Sequence, residues 1–231
     1  MKLFKSLLFG ISVLLSLSSY AQDSGSWEIL FDGTNLDSWK GYLTEKPTEE
    51  WTIKGNTLVF TPEKDRTHGG SNIITKNTYK NFVLSLEWKI SKNGNSGVFW
   101  AVVEDPKYPE AYQTGPEIQI LDNQGHSDGK ILTHQAGSLY DMIQATPGVV
   151  KGPGQWNHCE LHMDYHSNKA KVVLNGQTVV EFEPSGPQWD EMLAKSKFAS
   201  WPGFAKSKSG HIGLQDHGDR VSFRNIKIKA L

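Results

Sequence analysis

The clearest apolar pattern along the chain has a period of two. In Phe82-Val83-Leu84-Ser85-Leu86-Glu87-Trp88-Lys89-Ile90, the residues Phe82, Leu84, Leu86, Trp88 and Ile90 share one face, and Ser85, Glu87 and Lys89 lie on the other. Successive side chains of an extended strand point to opposite sides, so this run predicts a strand with one face on a core. Cys159-Glu160-Leu161-His162-Met163-Asp164-Tyr165 alternates in the same way. Residues 171–174 and 177–180 flank Asn175-Gly176, a pair that accepts the left-handed backbone of a two-residue hairpin, and they predict antiparallel partners. Residues 211–215 and 221–228, joined by Asp216-His217-Gly218-Asp219, predict two more strands. Helical periodicity is confined to 188–197, after Pro187 and before the aromatic stretch Phe198-Ala199-Ser200-Trp201-Pro202-Gly203-Phe204. Many short strands, turn residues between them and one short helix predict an all-β antiparallel jelly-roll sandwich rather than an α/β fold.

The first residues depart from this pattern. Lys2 and Lys5 precede an apolar run at 7–15, and Ser19-Tyr20-Ala21 places small residues at a cleavage position. The run is shorter than the roughly 20 residues that span a bilayer. Residues 1–21 are therefore expected to be a signal peptide and 22–231 a single exported domain, periplasmic or secreted, with no membrane attachment after cleavage. About 210 residues suit one sandwich better than two domains. Cys159 is the only cysteine, so no intrachain disulfide can form and stability must come from burial. A net charge of −1 provides no basic field and argues against a nucleic-acid partner.

Most familiar catalytic signatures are absent: there is no phosphate-cradling glycine loop, no Gly-x-Ser-x-Gly, no His-Glu-x-x-His and no Cys-x-x-Cys. In Glu117-Ile118-Gln119-Ile120-Leu121-Asp122, strand alternation sends Ile118 and Ile120 to the core and puts Glu117 and Gln119 on an open face, about 7 Å apart. A solvated strand face would read the same way. Asn93-Gly94-Asn95-Ser96-Gly97 leads into Val98-Phe99-Trp100, and its glycines suit either close approach of a ligand or a plain turn. Gln215-Asp216-His217-Gly218 gathers an amide, a carboxylate and an imidazole at a strand end, and His134 lies near Tyr140 and Asp141 in one loop segment. His158, His162 and His166 share a strand face with Glu160 and Asp164, too extended for one metal ion and read here as solvated. Eight Trp and seven Tyr favour a sugar-stacking groove, with Trp201 and Phe204 expected at its border.

Several of these pieces, in order along nearly the whole mature chain, resemble the 3-keto-disaccharide hydrolase family. They include Phe31-Asp32-Gly33 with Trp39, Trp51-Thr52-Ile53-Lys54-Gly55, Tyr79-Lys80-Asn81-Phe82 and Asn95-Ser96-Gly97-Val98. They continue through Glu117 to Asp122, Gly137-Ser138-Leu139-Tyr140, Asn175-Gly176, Gly213-Leu214-Gln215-Asp216-His217-Gly218 and Phe223-Arg224-Asn225-Ile226. The resemblance implies a concanavalin A-like lectin/glucanase sandwich, export, and cleavage of glycosides oxidised to a ketone at C3. Such a ketone acidifies the C2 proton, so the chemistry needs a base, an enolate stabiliser and a leaving-group acid. The expected base is His134 or His217 and the second acid/base Glu117. Gln119, Asn95, Gln215 and Tyr140 are expected to contact the enolate or hydroxyls, with Trp201 also substrate-binding. Asp122 and Asp216 are expected to orient a histidine or hold a divalent cation such as calcium, although no cofactor is required. The alternatives are a non-catalytic carbohydrate-binding module and a conventional glucanase-like hydrolase. A retaining enzyme of the latter kind needs two carboxyl groups about 5 to 5.5 Å apart, and Asp122 is an odd number of residues from Glu117.

Overall fold

The computed structural model describes residues 25–65 and 70–231, so the expected leader lies outside the described residues. Within them the strands are β1 (Glu28–Phe31), β2 (Trp39–Gly41), β3 (Trp51–Ile53), β4 (Leu58–Phe60), β5 (Ile73–Thr75), β6 (Phe82–Ile90) and β7 (Asn95–Val102). They continue as β8 (Glu117–Leu121), β9 (Asn157–Asp164), β10 (Lys169–Leu174), β11 (Gln177–Phe182), β12 (His211–Leu214) and β13 (Val221–Ala230). One sheet runs β11-β10-β9-β6-β13-β4-β3, with β1 added to β13, and a second runs β2-β5-β12-β7-β8. The pairings are antiparallel throughout. This is the expected all-β sandwich.

The period-two reading accounts for the core. Phe82, Leu84, Leu86, Trp88 and Ile90 of β6 are buried in one cluster with Val98, Trp100, Ile118, Ile120, Ile212 and Leu214 from the opposite sheet. Burial of each such side chain stabilises the fold by about 1.5–3 kcal/mol before entropy is counted. Along β9 every second residue is buried and those between are half-buried, His158, Glu160, His162 and Asp164 among the latter. At the β10–β11 turn Asn175 and Gly176 take φ of 50° and 83°, the left-handed pair that a two-residue hairpin requires.

Two features differ from expectation. The helix α1 spans Pro187–Lys195 and stops before residue 197 because the Ser196 hydroxyl donates to Leu193 O and accepts from the Phe198 amide, which turns the chain out. And all five residues of β8 are buried, Glu117 at 8% exposure and Gln119 at 2%. Alternation fixes the direction of those side chains but not what covers them. The outer face of the five-stranded sheet is partly roofed, with Tyr42, Ile74, Phe99, Val102 and Ala111 forming a second small cluster there. Loops on this face turn the strand surface into the floor of a cleft.

Trp88 is fully buried in the shared core. Trp88→Ala is expected to cost about 3–5 kcal/mol, read as a lower urea midpoint for the whole chain in one transition. A wild-type midpoint would contradict the single shared core.

Candidate functional site

The cleft is seeded where β7 and β8 pair. Gly97 stands opposite Gln119 and Phe99 opposite Glu117, and the Glu117 side chain lies across Gly97. A β-carbon at residue 97 would collide with the Glu117 carboxyl, so glycine here makes room for a carboxyl lying on the sheet. On the far side of β8 the amide of Tyr140 donates to Glu117 O at 3.0 Å, which sets Tyr140 beside the same residue. Gln215 is placed by its amide on Gly97 O at 2.9 Å and by the Ser96 hydroxyl, which donates to Gln215 O at 2.7 Å. His217 follows in a turn where it takes φ of 29° and Gly218 takes 80°, and its Nε2 lies 3.4 Å from Asn95 Nδ2.

These residues line one cleft of about 240 Å³. Asn95, Glu117, Gln119, Gln215 and His217 contribute polar groups, and Tyr140 and Trp201 line it as well. Seven of the ten catalytic and substrate-binding residues expected from the sequence therefore converge, and Phe204, expected at the groove's border, joins them. Burial pushes the Glu117 carboxyl up to about 8, with Lys197 pulling it back and Asp128 adding to the rise. A carboxyl in that state is a proton donor at neutral pH. Asn95 Oδ1 and Gln215 Oε1 are buried and have no hydrogen-bond partner in the protein, which leaves two acceptors for ligand hydroxyls.

Three residues lie elsewhere. His134 is buried behind Tyr140, their rings stacked at 4.3 Å, and its Nε2 is 2.9 Å from Asp141 Oδ1. It is paired with a carboxylate but does not line the cleft. Asp122 accepts from the amides of Asn93, Gln124 and Gly125, closing the loops at the ends of β7 and β8. Asp216 Oδ2 accepts from the Ser71 amide and its own amide donates to Asn72 Oδ1, which ties β12's end to the chain before β5. Both aspartates are occupied in holding backbone, and neither lines the cleft beside His217. Among the described residues no group of three or more His, Cys, Asp or Glu side chains is arranged to hold a metal ion.

The sequence reading missed Lys197 and Tyr112, and it placed Phe198 only in an aromatic loop. Lys197 Nζ donates to Tyr140 Oη at 3.0 Å and sits 4.2 Å from the ring centroid. Its amide donates to Asp141 Oδ2 at 2.7 Å, so Asp141 holds both His134 and the start of the aromatic loop. Burial first, then the acidic side chains of Asp128, Glu117 and Asp141, push the Tyr140 phenol well above its ordinary range, keeping it a donor. Neither Lys197 nor Tyr112 belongs to a motif, and proximity to Phe198 and Trp201 was the one available signal for Lys197.

Comparison with known proteins places these residues in context. Residues 26–229 match the model of a family described as a 3-keto-alpha-glucoside-1,2-lyase-like domain. The chain is 36% identical over 235 residues to a 3-keto-disaccharide hydrolase of Bacteroides thetaiotaomicron, covering 90% of this chain and 80% of that protein. A candidate glycosyl hydrolase from Parabacteroides distasonis ATCC 8503 superposes with a TM-score of 0.82 at 28% identity, over 89% of this chain and 94% of that one. A second from the same organism gives 0.66 at 31% identity, over 89% and 100%.

The buried acid has a measurable cost. The unfolded chain ionises Glu117 near 4.5, whereas the folded chain keeps the proton to about 8. Between those values the folded state binds more protons, so this group lowers stability as pH rises. Glu117→Gln is expected to melt above the wild type by a gap that widens from pH 5 to pH 8, and a gap independent of pH would contradict the buried neutral acid.

Proposed function

Because the chain belongs to the family of 3-keto-alpha-glucoside-1,2-lyase-like domains, we propose that its cleft breaks the glycosidic bond of sugars oxidised to a ketone at C3. The observation that carries this reading is a carboxylic acid held neutral in the same cleft as an imidazole, Glu117 and His217. Elimination next to a ketone needs one group that takes a proton and another that gives one.

In this mechanism His217 removes the proton from C2. The electron pair moves to the C3 oxygen, where the Tyr140 hydroxyl donates a hydrogen bond, with the Lys197 ammonium 3.0 Å away adding positive charge. The enolate then re-forms the ketone as the C1–O bond breaks, and Glu117 hands its proton to the departing oxygen. The product is a ketone conjugated with a C1–C2 double bond. Addition of water across that bond, hydroxyl to C1 and proton to C2, returns the 3-keto sugar and completes a net hydrolysis. Release before hydration makes the same steps a lyase reaction. The orphaned acceptors Asn95 Oδ1 and Gln215 Oε1 receive ring hydroxyls and hold the sugar against the sheet.

Glu117 bears the one carboxyl group among the cleft-lining residues. A conventional retaining glycosidase places a second carboxyl about 5 to 5.5 Å away, so the cleft favours elimination over direct displacement on an unoxidised sugar. Export through the expected leader is the proposed setting of this reaction.

The direct test incubates the protein with a 3-keto-disaccharide and its unoxidised parent in heavy water and follows products by mass spectrometry. Cleavage of the oxidised sugar alone, with deuterium entering C2, is the expected result, and cleavage of both without deuterium would overturn it. kcat is expected to fall as pH rises through about 8, where Glu117 loses its proton. Glu117→Gln is expected to lower kcat by about 10²–10⁴-fold with the fold retained by circular dichroism, and full activity would remove Glu117 as the acid.

A further inference from the structure

We propose that the Gln119 side chain is a second hydrogen-bond donor to the C3 oxygen, completing with Tyr140 the group that holds the enolate. This deepens, and rests on, the reading of the cleft as one that cleaves 3-keto-glycosides.

Three side-chain amides line the cleft, and they do not present the same end to it. The Ile120 amide donates to Gln119 Oε1 at 3.0 Å. An N–H can bond only an acceptor, so the Gln119 oxygen is turned to the backbone and its NH2 is the end left for the cleft. No hydrogen bond to another described residue takes up that NH2. Asn95 and Gln215 are the reverse. Their Oδ1 and Oε1 are the buried atoms without a partner, and Asn95 Nδ2 is turned to His217 Nε2 at 3.4 Å. The cleft therefore offers two amide acceptors and one amide donor. A 3-keto-glycoside divides in the same way: its hydroxyls have hydrogens to give to Asn95 Oδ1 and Gln215 Oε1, whereas its ketone oxygen has none and can only accept. That oxygen is also where negative charge collects when C2 loses its proton, so it is the atom a fixed donor stabilises most.

The backbone puts this donor where the reaction needs it. Glu117 and Gln119 rise from alternate residues of β8 on one face, about 7 Å apart, as the leaving oxygen and the ketone oxygen stand on alternate carbons of the sugar ring. The Glu117 side chain lies over Gly97, the residue paired with Gln119, so the acid and the amide are neighbours. On the far side of β8 the Tyr140 amide donates to Glu117 O at 3.0 Å and the Gln119 amide to Ser138 O at 3.1 Å. Tyr140 and Gln119 are thus diagonal neighbours on paired extended segments, about 7–8 Å apart, a span that long side chains bridge. One oxygen between them can accept from both. The bond to Ile120 also fixes the Gln119 amide before a substrate arrives, so its dipole needs no reorganisation as the enolate forms.

The experiment uses the 3-ketone of anhydroglucitol, a sugar ring with hydrogen in place of the oxygen substituent on C1. It keeps the ketone and the C2 proton but has no leaving group outside the ring, so it isolates proton removal. In heavy water the wild type is expected to exchange that proton for deuterium, followed by NMR, and Gln119→Met to do so about 10²–10³-fold more slowly, the effect of losing one oxyanion donor. kcat on a 3-keto-disaccharide is expected to fall by the same factor with KM unchanged, as for a contact that strengthens only in the transition state. Exchange and cleavage at wild-type rates in the variant overturn Gln119 as the donor and leave the keto-glycoside reading intact. A wild type that neither exchanges the analogue nor cleaves the keto-disaccharide overturns that reading instead. Gln119 is then decided in the wild type alone, a measurement that also serves if the variant does not fold. Its side-chain amide proton signals are expected to move downfield when the analogue is added, and signals that stay in place overturn the proposal.

Discussion

A carboxyl group that keeps its proton near neutral pH has to be denied water, and here the strand it sits on supplies that denial. Glu117 points away from the sandwich core, where Ile118 and Ile120 point inward, yet it is buried because its side chain lies flat across Gly97 and under the loops of the outer face. The backbone bond from Tyr140 to Glu117 O brings the phenol and, through it, Lys197 to the same place. The cation tempers the shift without cancelling it. The position of the neutral acid depends on residue 97 lacking a side chain.

The cleft has a supporting layer behind it. Asp141, with φ of 61°, accepts from the Lys197 amide and lies 2.9 Å from His134 Nε2, while the His134 ring stacks beneath Tyr140. One carboxylate thus fixes the ring behind Tyr140 and the first residue of the loop that carries Phe198, Trp201 and Phe204. His134 touches the cleft's lining through Tyr140 and is held by Asp141, without lining the cleft itself. A histidine next to an aspartate in sequence-near loops looks like a catalytic pair until burial shows which way the ring faces.

The sandwich was legible because its signal is local: the alternation of β6 and β9, and the Asn175-Gly176 turn, each report a strand or hairpin without knowledge of the rest of the chain. The family was legible for a different reason, the order of short motifs over most of the chain. The site was legible where a strand carried it, as with Glu117 and Gln119 on β8, or where a turn gathered polar groups, as with Gln215 and His217. It was not legible for Asp122 and Asp216, since an aspartate that receives backbone amides and one that faces a ligand have the same sequence signature. Lys197 and Tyr112 were invisible because only the folded path of two separated loops, joined by the Ala205 amide on Thr114 O, brings them to the cleft.

The central claim is that Glu117 enters the reaction as a neutral acid. Infrared difference spectroscopy of wild type against Glu117→Gln at pH 7 tests it without reference to any substrate. The account predicts a protonated-carboxyl carbonyl band in the wild type that is missing from the variant and that disappears as pH is raised past about 8. A carboxylate band from Glu117 already present at pH 7 would contradict it.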